Sequence, residues 1–227
     1  TGIYTATITR ADLQIIVNNY AVQSFLPVER TISEKRVTAV NPIGGTNTYY
    51  SNTAFPVDNI QLLTINYYDN YAFDTDGLSV PASVYGVATT NLLSGVLTGT
   101  KVRVIAESLT DYWITSLMGY DNKVRPVYTS IQNRFTVFTE QQETKLDFTG
   151  KVLETKTTHS KDNGSPIVIT DLKAYDVGGR LFSQGKKINA QTVYERIGTN
   201  VYNELGQLIT KYVGNSTATS THLQQIN

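Results

Sequence analysis

Several groupings of residues in this 227-residue sequence have the types and spacing that chemistry needs. Asp176 and Arg180, four apart, have the makings of a carboxylate–guanidinium catalytic pair. Asp74-Thr75-Asp76-Gly77 sets two carboxylates before a glycine, like half of a calcium loop, but Val80 and Pro81 follow and no closing Glu, so it reads as a turn rather than a metal site. His159 and His222 are the only histidines, 222 − 159 = 63 residues apart in Thr-rich stretches, with no nucleophile or second ligand beside either. Glu140-Gln141-Gln142-Glu143 offers an acid/base pair but reads more simply as a solvated turn. Tyr49, Tyr50, Tyr67, Tyr68, Tyr71 and Tyr112 could line a sugar-binding face, or form cross-strand aromatic ladders in a sheet. Gly44-Gly45 and Gly178-Gly179 lack the Lys-Ser/Thr that completes a phosphate loop.

Recurrence decides the first of these. Tyr175-Asp176-Val177-Gly178-Gly179-Arg180-Leu181 returns as Tyr202-Asn203-Glu204-Leu205-Gly206-Gln207-Leu208. Leu146-Asp147-Phe148-Thr149-Gly150-Lys151-Val152 and Tyr120-Asp121-Asn122-Lys123-Val124-Arg125-Pro126 precede it, so four copies recur at a period of about 26 to 29 residues. An active site is needed once; a turn is needed every time. The pair is therefore structural.

The unit has a physical logic. An aromatic residue ends one strand, and Asp or Asn opens a turn by accepting backbone hydrogen bonds. Gly three residues later suits a type I turn closed at positive φ, a hairpin with a Gly bulge. Each copy is then one β-hairpin, marginal alone and stable when stacked on its neighbours. The structural positions are Tyr120, Asp121, Arg125, Asp147, Gly150, Tyr175, Asp176, Gly179, Arg180, Tyr202, Asn203 and Gly206. Val124 stands where the turn wants Gly, so another turn, a two-residue loop around Asn122-Lys123, is expected there. Leu146 replaces Tyr in one copy, and Asn203 and Gln207 replace Asp and Arg in another.

Tyr-Asp-x-x-Gly-Arg at this period resembles the YD repeat of RHS-repeat proteins. Leu62-Leu63-Thr64-Ile65-Asn66-Tyr67-Tyr68-Asp69-Asn70-Tyr71, Gly95-Val96-Leu97-Thr98-Gly99-Thr100 and Phe148-Thr149-Gly150-Lys151-Val152 resemble the secreted RHS-like proteins of Bacteroidetes-type bacteria. The resemblance covers roughly residues 47–227 and implies a spiralling β-sheet shell, secreted or at the cell surface. Such a shell encloses or presents a C-terminal effector, toxin-like in this family. It also implies a core region where an aspartate-dependent self-cleavage frees that effector; no stretch before Asn227 matches one. The implied partners are further repeats of the same parent chain and an encapsulated C-terminal domain. The other reading is an extracellular adhesin or a module binding a cell-surface protein or glycan.

Composition sets bounds. Nineteen Lys plus Arg balance nineteen Asp plus Glu, so no net field draws nucleic acid or an anionic membrane. There is no cysteine, hence no disulfide framework or thiolate metal site. Fifteen Tyr, with abundant Thr, Val and Ile, tilt the chain to β structure. No apolar run is long enough for a membrane helix. Thr1 opens straight into alternating residues with no signal peptide, and Gln225-Ile226-Asn227 reads as the start of another repeat, so a piece of a longer protein is expected.

The expected fold is mainly β: consecutive antiparallel hairpins in a curved, spiralling sheet, with one short helix near the N-terminus. A strand-helix-strand segment, 1–46, precedes the repeat region, 47–227. It comprises a strand at 2–9, a helix at about 11–24 capped by Thr9 with Asp12 and ended by Pro27, and a strand at 28–40. Asn41-Pro42-Ile43-Gly44-Gly45 reads as a break. Strands are expected at 60–68, 101–108, 112–119, 166–175, 180–188, 192–202 and 207–213. Residues 69–95 are the least regular, and Lys161–Gly164 and Gly185-Lys186-Lys187 read as turns or kinks. The whole is expected to be non-catalytic, with no cofactor and no metal.

Overall fold

The computed structural model describes residues 2–4, 9–22, 33–54, 56–57, 60–105, 111–162, 164–214 and 222–227. The N-terminal part holds β1 (Gly2–Tyr4), helix α1 (Arg10–Val22), β2 (Arg36–Ile43), β3 (Thr46–Tyr50), β4 (Ile60–Leu62) and β5 (Thr64–Asp69). Then come β6 (Ser83–Val84), β7 (Val87–Ala88), β8 (Leu93–Arg103), β9 (Trp113–Tyr120), β10 (Pro126–Asn133) and β11 (Phe138–Leu146). The remaining strands are β12 (Val152–Lys161), β13 (Ile167–Tyr175), β14 (Leu181–Ile188), β15 (Glu195–Tyr202), β16 (Leu208–Val213) and β17 (Gln224–Ile226).

Eleven strands form one open antiparallel sheet, ordered β17-β16-β15-β14-β13-β12-β11-β10-β9-β8-β5. From β8 onward each strand pairs with the next in the chain, as stacked hairpins require. The three pairs β1-β4, β2-β3 and β6-β7 stand apart from it.

Alternation along β9 explains the core. Trp113, Thr115 and Leu117 are buried, while Ile114, Ser116 and Met118 between them are only partly covered. The cover comes from the irregular stretch that follows β5. Phe73 joins Ile65, Tyr67, Trp113 and Leu117 in one cluster, with Leu78 and Val80 packed against it. This stretch lies directly on the sheet backbone: a Cβ on Gly119 would stand 2.6 Å from Val80 Cγ1. Farther along, β11 and β12 are only half-buried.

The helix is one turn's fraction earlier than expected, and its cap is as read: the Asp12 N–H donates to Thr9 Oγ1 at 3.2 Å and the Thr9 N–H to Asp12 Oδ2 at 3.1 Å. Its apolar residues Leu13 and Val17 remain exposed. The strands expected at 166–175, 180–188 and 207–213 are β13, β14 and β16, and the one at 192–202 is β15, starting at Glu195.

Four expectations are corrected. Asn41–Gly45 is no break: Ile43 pairs with Thr46, and Gly44-Gly45, both at positive φ, form the two-residue turn of the β2-β3 hairpin. The strand expected at 60–68 divides at Leu63, so that β4 pairs with β1 and β5 with β8. The strand expected at 101–108 begins at Leu93 and ends at Arg103; residues 106–110 lie outside the described residues. Gly185-Lys186-Lys187 lies inside β14, where a bulge between Gln184 and Gly185 shifts the register against β15. The expected strand at 28–40 appears as Arg36–Ile43: residues 33–35 precede it without being strand, and 28–32 lie outside the described residues, as do 5–8 of the first strand, 23–27 with Pro27, and Asn163 of the Lys161–Gly164 turn.

Candidate functional site

The residues singled out by the repeat form four equivalent turns along one edge of the sheet. In each, the N–H of the Asp or Asn donates to the carbonyl four residues on, at 3.0, 2.9, 2.9 and 2.9 Å for Asp121, Asp147, Asp176 and Asn203. The N–H three residues on (Val124, Gly150, Gly179 or Gly206) returns to the carbonyl of that Asp or Asn at 2.9, 3.1, 2.8 and 2.9 Å. The side-chain Oδ1 accepts the N–H four residues on: Arg125, Lys151, Arg180 and Gln207, at 2.9, 2.8, 2.8 and 2.9 Å. Each turn ends in a register shift.

Val124 corrects the expectation of a different loop. It takes the glycine's place with φ +59°, beside +96°, +76° and +80° at Gly150, Gly179 and Gly206. The paired strands and the Asp121 carboxylate hold a β-branched residue where only glycine is unstrained.

The motif cation does two jobs. Arg125 Nε and Arg180 Nε each donate to their own Asp Oδ2 at 2.7 Å. Each motif cation also reaches the next copy: Lys151 Nζ lies 5.5 Å from the Tyr175 ring centre, Arg180 Cζ 4.5 Å from that of Tyr202, and Arg125 Nη1 donates to Asp147 O at 3.0 Å. The tyrosines reach back. Tyr175 OH donates to Val152 O, and Tyr202 OH to Leu181 O, each at 2.9 Å; Tyr120 OH donates to Leu97 O at 2.6 Å. The Asp147–Asp176 and Asp176–Asn203 steps are thus clasped in both directions.

These carboxyls are held in ionised form. The Arg180 N–H, with its guanidinium, keeps Asp176 below the ordinary carboxylate range, and the Thr149 hydroxyl with backbone N–H groups does so for Asp147. Asp121 is fully buried. Burial pushes its pKa up, but the Arg125 side chain and the N–H groups of Arg125 and Lys123 outweigh that and leave it lowered.

The half calcium loop has a different use. Lys101, on β8 and buried, puts Nζ 2.9 Å from Asp74 Oδ2 and 3.1 Å from Asp76 Oδ2. Arg134 Nε is 3.2 Å from Asp76 Oδ1, and Thr115 Oγ1 donates to Asp76 Oδ2. An ammonium and a guanidinium occupy the places a cation would take, and they bind the irregular stretch to the sheet. Lys101, Thr115 and Arg134 had no local signal, since their partners lie 27 to 58 residues away.

The remaining candidates disperse. Glu140–Glu143 is not a turn but the middle of β11. Glu140 faces His159 across the β11-β12 pair, with Oε2 3.1 Å from Nδ1, so this histidine does have a partner that only the register supplies. His222 packs on Tyr212, ring centres 4.2 Å apart. Tyr67 is fully buried, stacked between Tyr50 and Phe73 at 5.6 and 4.0 Å, with Arg36 Cζ 4.9 Å from its ring centre. Tyr71 donates to Met118 O at 2.7 Å, and burial pushes its pKa up to about 12. Tyr49 packs on the same cluster, Tyr112 meets Phe135 edge-on, and Tyr68 is exposed. They do not stand in one open row. Gly44-Gly45 and Gly178-Gly179 both serve hairpin turns.

No protein-family model and no curated protein matches the chain.

Proposed function

We propose that this chain is a non-catalytic structural segment: RHS/YD-type hairpin sheet that winds with further repeats into a wall enclosing or presenting a C-terminal, toxin-like effector of a secreted or surface protein. The observation that carries the reading is the use made of Asp176 and Arg180. Asp176 is committed to its own turn, and Arg180 both to that turn and to the next copy, as Asp121 and Arg125 are. The same use of the pair in more than one copy is what a turn requires and a single active site does not.

A wall needs the properties seen here. Neighbouring hairpins satisfy each other's backbone groups, and only the two outermost strands of the sheet keep an open edge. A glycan-binding surface would favour aromatic rings standing free, whereas Tyr67, Tyr50 and Tyr71 are used up in packing and hydrogen bonding.

The test is negative-stain microscopy of the full-length protein with limited proteolysis of everything after residue 227. A hollow particle with a protected C-terminal segment is the expected result. An open ribbon with an accessible C-terminus sinks the proposal in favour of an extracellular binding module.

A further inference from the structure

The four copies differ at one position that matters for space. In two successive steps the tyrosine before the Asp fills the gap between turns: its hydroxyl reaches the carbonyl five residues beyond the previous Asp, and the previous cation lies over its ring. Tyr175 uses Val152 O and Lys151; Tyr202 uses Leu181 O and Arg180. The step from the Asp121 turn to the Asp147 turn has Leu146 in place of tyrosine. The equivalent acceptor there is the carbonyl of Pro126, and the equivalent cation is Arg125.

A cleft of about 510 Å³ opens at this place. It is lined by Arg125, Pro126, Thr144, Leu146, Gly150 and Val152, among others. That volume lies within the range of small-molecule sites. The guanidinium of Arg125 is fixed on both sides, by Asp121 Oδ2 and by Asp147 O, so the cleft keeps its cationic wall without a ring beneath it.

We infer that this cleft is a binding site for a phenolic ring. The sibling steps supply the recognition chemistry. A cation stands over the ring face, worth most when desolvated, and a backbone carbonyl accepts a hydrogen bond from the hydroxyl. Leu146 and Val152, both partly buried, offer apolar contact to the ring edge. The inference goes beyond the reading of the chain as a wall segment and does not depend on it, because it needs only the geometry of two adjacent turns.

The probe is p-cresol, the side-chain analogue of tyrosine, with toluene as its hydroxyl-free counterpart. Titration of the isotope-labelled 227-residue chain, followed by NMR, is expected to show saturable shifts at Arg125, Leu146 and Val152. Nuclear Overhauser contacts from the cresol ring to the Leu146 and Val152 methyls should accompany them. The hydroxyl should make p-cresol bind about fivefold more tightly than toluene. Leu146→Tyr, which fills the cleft from within, should abolish binding and raise the melting temperature. Should that variant fail to fold, the Overhauser contacts in the parent chain still decide. Shifts elsewhere only, equal affinity for toluene, or undiminished binding to a folded Leu146→Tyr would each overturn the site.

Discussion

The guanidinium of Arg180 lies 4.5 Å from the ring centre of Tyr202, while its Nε holds Asp176 at 2.7 Å. One side chain therefore closes its own turn and clamps the next. A double-mutant cycle with Arg180→Met and Tyr202→Leu should give a coupling of about 0.5–1 kcal/mol. Thermal or urea unfolding measures it, and strictly additive effects would show that the stacking carries no energy.

Tyr175→Phe removes a hydroxyl that donates to Val152 O and leaves the ring under Lys151. A loss of about 1 kcal/mol is expected. The comparison with Tyr68→Phe, at an exposed ring, supplies the baseline, since that change should be silent. Equal effects at both positions would count against the backward clasp.

Val124→Gly should stabilise by about 1 kcal/mol, because φ +59° strains a β-branched residue and costs glycine nothing. The reverse changes, Gly179→Val and Gly206→Val, should destabilise by about 1–3 kcal/mol. The first also drives a Cβ to 2.1 Å from Lys151 Nζ, which must move away. Melting curves that are identical for all three variants rule out the shared turn geometry.

Acid should loosen the turn edge. Asp121, Asp147 and Asp176 all have lowered pKa values in the folded chain. Groups of this sign add stability that is fully present above the unfolded carboxylate value of about 3.9 and is lost as pH falls through their folded values. Unfolding midpoints from pH 6 down to 2 should stay level and then fall below about pH 4. Asp176→Asn keeps an Oδ1 acceptor, as Asn203 does, and should shallow that fall; an unchanged profile would separate these carboxylates from acid unfolding.

Lys101→Ala should be the most damaging single change, at about 3 kcal/mol, because it leaves the shielded Asp76 with its lysine gone. Protease sensitivity of the stretch between β5 and β8 should rise with it, since Lys101 anchors Asp74 and Asp76 there. A melt within about 0.5 kcal/mol of the parent would mean that the cluster contributes nothing.

The local part of this structure was legible in the sequence. The turns with glycine, the strands between them and the capped helix depend on residues within four positions of one another, so the period and the type of residue determine them. Arg180 and Tyr202 were both visible as motif positions; that one rests on the other required the stacking of hairpins. Val124 departs from the local expectation because intrinsic preference argues against positive φ, while strand pairing on both sides imposes it. The Lys101 cluster, the His159–Glu140 pair and the place of Glu140 inside a strand rather than a turn belong to tertiary structure alone. Each joins residues far apart in the chain, and only the register of an assembled sheet, with the irregular stretch laid across one face, fixes who meets whom.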